Sequence, residues 1–245
     1  MFKGKYHVCD VFGIPIYIDV SFLFLLLIFV MDFGSFTFGV AAALALAISV
    51  ILHELGHALT ARAFGYRTRD ITLSLLGGCA SLIALPRKAW QEFVTALAGP
   101  LVSFAIAGAV MLLDVFGIVV QNAWLRNVLV YTFWMNVMLG AFNLLPGFPM
   151  DGGRIFRSVM CAFLSRAKAT MVAMWVGRAF AILLGLRGLH SIVTGGTWGF
   201  ISILIAWMIW REGWREYQMA LAEENFRYWT QDDFDARVSP PPYDR

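Results

Sequence analysis

The chain has 245 residues, 60% of them hydrophobic and 14% charged, with a net charge of +3. Soluble domains are nearer half apolar and a quarter charged, so most of this length belongs in lipid and a soluble globular enzyme is excluded. The basic residues are scattered among hydrophobic runs, which suits loop ends at a membrane surface rather than a nucleic-acid face. Cys9, Cys79 and Cys161 are far apart and form no C-x-x-C pair, so free thiols are expected rather than a disulfide framework or a cysteine metal site. The first apolar run begins near Val20 with no small-residue pattern close behind it, so no cleavable signal peptide is expected.

In chain order, the pattern predicts an all-α polytopic membrane protein with about six transmembrane helices and one short membrane-embedded β loop. The first span covers residues 18–33 and the second residues 38–61. Residues 66–88 then mix β-branched residues and leucine with Gly77 and Gly78. A helix there would be weakened by the glycines and ended by Pro86, so a short strand pair at the membrane edge is expected. Irregular backbone at that depth survives only against protein or a wet cavity. The third span covers residues 90–110, extending towards 116; the fourth covers 125–145, the fifth 171–186 and the sixth 198–210. Residues 1–211 thus form a membrane-embedded domain, and the acidic, aromatic residues 212–245 read as a cytoplasmic surface helix with a flexible tail. With the N-terminus in the cytoplasm, nearly every lysine and arginine falls inside, Arg126 and Arg187 fall outside, and Arg178 lies within the fifth span. Both termini are then cytoplasmic.

The second span reads "SVILHELGHALT" at residues 49–60. Positions i and i+4 of an α-helix lie about 40° apart around the axis, so His53 and His57 share one face. Neutral imidazoles so placed can chelate one zinc ion. Glu54, rotated about 100° from His53, flanks that position and can take the proton of a water activated there. Ionised groups inside a bilayer are costly and are candidates for function by default. A zinc site of this kind needs a third protein ligand. His7, in the N-terminal tail, and His190, on the far side, are poorly placed, and Ala63 stands where an extended H-E-x-x-H pattern would need histidine. Among carboxylates, Asp114 ends the third span on the wrong side and Glu92 begins it near the cytoplasm. Asp151 stands out in "FNLLPGFPMDGGR", residues 142–154. There Pro146 and Pro149 break the helix and Gly147, Gly152 and Gly153 loosen it, so that a carboxylate can swing into the bundle.

The pair of stretches His53-Glu54-Leu55-Gly56-His57 and Asn143-Leu144-Leu145-Pro146…Asp151-Gly152 resembles the site-2 protease family of intramembrane zinc metalloproteases. "LLGGCA" and "ALAGPL" resemble two weaker signatures of that family, a glycine-containing strand loop and the start of its third core helix. The likeness covers about residues 10–210. It implies a core of three helices, here the second to fourth spans. It implies one Zn2+ held by His53, His57 and Asp151, with Glu54 as general base. Asn143 would contact the substrate backbone or the developing oxyanion. The substrates implied are transmembrane proteins in a prokaryotic cytoplasmic membrane. A substrate segment would unwind and add to the strand edge around Gly77, Gly78 and Cys79.

The six-span plan is closest to the sporulation and archaeal branches. An inserted periplasmic peptide-binding domain and an appended nucleotide-sensing domain are not expected. Those branches often carry histidine ahead of the first span, where this chain has Asp19. The alternative is a catalytically inactive or metal-binding scaffold for client membrane proteins, whose motif should be damaged; Glu54 is intact. A metal transporter would spread polar residues over successive spans, and the polar groups here are compact.

Overall fold

The computed structural model describes residues 4–32, 34–74, 77–82, 88–116, 122–196 and 199–238. They fall into two compact units. The first unit, residues 1–145 with 150–155, holds β1 (Lys5–Val11), β2 (Ile14–Asp19), α1 (Val20–Asp32), α2 (Phe36–Ala63), β3 (Thr68–Ser74), β4 (Gly77–Leu82), α3 (Ala89–Val115), α4 (Ala123–Asn143) and the start of α5 (Asp151–Met160).

Four strands form one sheet in the order β1-β2-β3-β4, where the sequence led us to expect one short pair. The N-terminal stretch expected to be a tail is a hairpin. Phe12 and Gly13 carry φ of 53° and 76°, the two left-handed positions of a two-residue turn whose twist matches the strands it joins. β2 then runs parallel to β3, pairing Ile16 with Ile71 and Ile18 with Leu73, and β3 pairs antiparallel with β4. Alternation along β2 buries Ile14 and Ile16. With Ile71 and Leu73 they pack on Leu46, Val50, Leu55 and Ala58 of α2 and on Phe22 of α1. The sheet is therefore fixed against the helix that carries the H-E-x-x-H pattern, with β4 as an edge strand.

The helices of this unit are packed inside out relative to a soluble protein. Their buried positions are mostly small, such as Ala42, Ala43, Ala58, Ala61, Ala96 and Ala107, while Leu44, Ile48, Leu101, Met111 and Trp134 are exposed. Small residues let backbones approach where lipid removes any hydrophobic gain from burying large ones. Gly56 of α2 shows the closeness: a Cβ there would stand 2.9 Å from the Ala98 carbonyl oxygen of α3. Among the described residues, α2 and α3 here and α6 in the second unit are long and apolar enough to cross a membrane. Ser35 and Asn122 cap α2 and α4 by accepting from backbone N–H groups of the first turn.

The second unit, residues 146–149 with 156–245, holds the rest of α5, α6 (Arg166–Val193) and α7 (Gly199–Val238). α6 is longer at both ends than the expected fifth span. α7 runs unbroken past residue 211, where the sequence suggested a boundary, and residues 239–245 of the tail lie outside the described part. Arg178, unexplained in the sequence, lies among three tryptophans. Its guanidinium carbon is 4.9 Å from the Trp175 ring centroid on α6, and 4.4 and 5.2 Å from those of Trp210 and Trp214 on α7. Ring faces stabilise a cation electrostatically where few waters reach it.

Candidate metal centre

The centre is built on α2. One helical turn separates His53 from His57, and their Nε2 atoms stand 3.2 Å apart. Both side chains are buried, as is Glu54 between them. The third member arrives from a break in the chain. α4 ends at Asn143, and residues 144–150 turn through Pro146 and Pro149 before Asp151 opens α5. Gly152 makes this return possible, because a Cβ there would run into the carbonyl oxygens of Leu144 and Leu145. Asp151 is thereby placed with its Oδ2 3.1 Å from His53 Nε2 and 3.1 Å from His57 Nε2.

Three ligand atoms 3.1–3.2 Å apart make a nearly equilateral triangle. A tetrahedral ion with bonds of ~2.0–2.1 Å has ligand atoms roughly 3.3–3.4 Å apart, so this donor set fits such an ion with shifts of a few tenths of an ångström. These three residues form a cluster able to hold a metal. Glu92, left open as a ligand in the sequence, is buried at the start of α3 and is not part of the cluster. His7 is exposed and lies beside Asp10, and His190 is exposed in the last turn of α6.

The far side of each imidazole is also held. His57 Nδ1 donates to the Thr95 carbonyl oxygen at 2.8 Å, and His53 Nδ1 lies 2.9 Å from Ser103 Oγ. Thr95, Gly99 and Ser103 are spaced i, i+4, i+8, so they form one stripe along α3. Gly99 is the hollow in that stripe: a Cβ there would collide with His57 Nε2 and stand 2.7 Å from His53 Nε2. The sequence singled out "ALAGPL" only as a helix start and missed Thr95 and Ser103 altogether. Common residues in an apolar run carry no signal until α3 is laid against α2.

The other sequence candidates sit as follows. Gly78 lies directly against Glu54: a Cβ on it would run into Glu54 Cγ and stand 2.6 Å from Oε1. The edge strand and the glutamate are therefore adjacent. Gly77 pairs with Ser74 and Cys79 with Thr72 in the β3–β4 ladder; the Cys79 side chain is outside the described part. Asn143 ends α4 and Asp151 opens α5, with the proline-containing break expected from the sequence between them. The Asn143 amide donates to the Leu139 carbonyl at 3.0 Å, one turn back on α4.

Comparison with known families matches residues 41–121 and 114–184 to peptidase family M50. The chain belongs to that family. Its relatives include a zinc metalloprotease of Methanocaldococcus jannaschii, 32% identical over 220 residues, which are 89% of this chain and 62% of the relative. A Synechocystis relative is 32% identical over 254 residues, 94% of this chain and 64% of its own length. The chain thus spans a little under two thirds of the length of these curated relatives. Among solved structures, the site-2 protease from Methanocaldococcus jannaschii superposes with a TM-score of 0.67 at 31% identity, covering 87% of this chain and 95% of that one. M50 membership, together with the long apolar helices, identifies an integral membrane protein of mainly helical fold with a small sheet.

Proposed function

We propose that this chain is an intramembrane zinc metalloprotease that hydrolyses peptide bonds in or near transmembrane segments of other membrane proteins. The observation that carries the proposal is the triangle of buried His53 and His57, on a helix apolar enough to span a bilayer, with the half-buried Asp151 of α5, beside the buried Glu54. His53, His57 and Asp151 would hold zinc, and the two-nitrogen, one-oxygen donor set suits that ion. Bound zinc would lower the pKa of a water to about 7 and polarise a substrate carbonyl.

Glu54 then takes the proton from the attacking water and returns it to the departing amine, so one carboxylate serves as base and as acid. Its burial keeps bulk water from competing for that proton. Among the described residues β4 ends the sheet beside Glu54, and a substrate stretched along it would gain the hydrogen bonds that an unwound segment lacks in lipid. Gly77 and Gly78 leave that edge without side chains, so another backbone can come close. Asn143 would meet the substrate once its amide leaves the Leu139 carbonyl. We place about six helices across the membrane, with both termini in the cytoplasm of a prokaryote, on the distribution of lysine and arginine.

The test is cleavage of a panel of transmembrane substrates in proteoliposomes by wild type and Glu54→Gln, with zinc measured in both. Loss of about 100-fold or more in rate with zinc retained is the expected result. Equal cleavage by both proteins, or wild type without zinc, overturns the proposal.

A further inference from the structure

The two histidines are held by different kinds of group. Thr95 presents a carbonyl oxygen to His57 Nδ1, and a carbonyl can only accept. The hydrogen of a neutral His57 is therefore fixed on Nδ1, and its Nε2 lone pair faces Asp151. Ser103 presents a hydroxyl to His53 Nδ1, and a hydroxyl can accept or donate. If it accepts, His53 matches His57 and both Nε2 lone pairs face the cluster. If it donates, the hydrogen sits on His53 Nε2 and occupies the position a metal ion needs. The Ser103 side chain is fully buried, so no solvent water stands in for it.

Resting on the metal-site reading above, we propose that Ser103 is a positioning residue for metal binding: its hydroxyl orients the His53 ring and sets His53 Nε2 as a metal donor. Its reach is wholly through His53, because Ser103 lies on the far side of that ring from the ligand triangle. Substitution by alanine leaves Nδ1 of His53 facing an apolar methyl, so the ring is free to turn and to change tautomer. Removing such an outer partner typically costs 10–100-fold in metal affinity.

The test uses the full chain in detergent. Zinc affinity is measured by competition with a chromophoric chelator for wild type, Ser103→Ala and Ser103→Thr, and long-range ¹H–¹⁵N spectra of labelled histidine report which ring nitrogen carries the hydrogen. Ser103→Ala should bind zinc about 10–100-fold more weakly, Ser103→Thr should recover most of that, and wild type loaded with zinc should show hydrogen on Nδ1 of both His53 and His57. A Ser103→Ala protein binding zinc within about twofold of wild type, well short of the expected loss, overturns the Ser103 role and leaves the metal site standing. If Ser103→Ala does not fold, the wild-type spectrum before zinc is added decides, and hydrogen on His53 Nε2 in that metal-free protein overturns the Ser103 role. Wild type that takes up no zinc overturns the metal site itself.

Discussion

Gly99→Ala adds one methyl group to α3 and should remove metal binding without unfolding the protein. The new Cβ would stand 2.7 Å from His53 Nε2 and 2.5 Å from His57 Cε1, against 3.4 Å for the start of ordinary contact. His53 Nε2 must therefore retreat by about 0.7 Å and the His57 ring by about 0.9 Å, while metal–ligand distances tolerate only about ±0.2 Å. Retreat is opposed by α3 itself, because Thr95 and Ser103 on the same helix hold the two Nδ1 atoms. Overpacking costs ~1–3 kcal/mol, and alanine returns up to about 1 kcal/mol of helix propensity. The fold should survive with a modest loss. Zinc affinity should fall by on the order of 100-fold or more, at or beyond the upper end seen when an outer partner is removed. The assay is zinc per chain after dialysis against a chelator, with helix content from circular dichroism. Gly108→Ala on the same helix, where a Cβ meets nothing within 4 Å, is the matched control and should keep its zinc. A Gly99→Ala protein that holds zinc as the control does would refute the close α2–α3 contact on which the centre's geometry depends.

Gly78→Ala should separate catalysis from metal binding in the other direction. Its methyl would displace the Glu54 carboxylate, with Oε1 only 2.6 Å away, so cleavage should drop by about 100-fold while zinc content stays at the wild-type level. Arg157→Ala probes the second unit. Arg157 on α5 is buried, with Nη1 3.4 Å from Glu216 Oε2 on α7 and its guanidinium carbon 4.8 Å from the Phe148 ring centroid. Breaking a buried pair leaves one charge uncompensated and costs about 3–5 kcal/mol. A marked fall in the thermal unfolding midpoint in detergent is expected, and an unchanged midpoint would show that the pair contributes nothing.

How much of this was legible from residues alone follows the range of each interaction. The His53–His57 edge of the triangle is a local consequence of helical spacing, so the motif suffices to place it. The other two edges join residues 98 and 94 positions apart, and no periodicity carries that information. Asp151 could be singled out among the carboxylates because prolines and glycines mark a break. Choosing it as the ligand rested on family resemblance. The N-terminal hairpin escaped because "VFGIPIYID" lies against a strongly apolar run and its turn uses Phe12, a residue rarely found at positive φ. The start of α5 escaped because Asp151-Gly152-Gly153 reads as a turn, and only the packing of Gly152 on the end of α4 reveals it as a helix start.

The stripe on α3 shows why a metal motif on one helix is an incomplete description. His53 and His57 need partners on their outer nitrogens to present the inner ones, and those partners must stand about two turns apart on an antiparallel helix. The helix must also come close enough to reach both, which forbids a side chain at the midpoint between them. One backbone carbonyl, one hydroxyl and one missing side chain meet all three conditions, at Thr95, Ser103 and Gly99. Of these, Thr95 contributes to the His57 contact only its main chain and can change identity without losing it. Gly99 admits nothing larger, and the Ser103 position admits only a side chain that can accept a hydrogen bond. The tolerance of α3 to substitution should therefore rise from Gly99 through Ser103 to Thr95. A saturation library scored by retained zinc would show that order, and a library equally tolerant at all three positions would mean that α2 holds its ligands unaided.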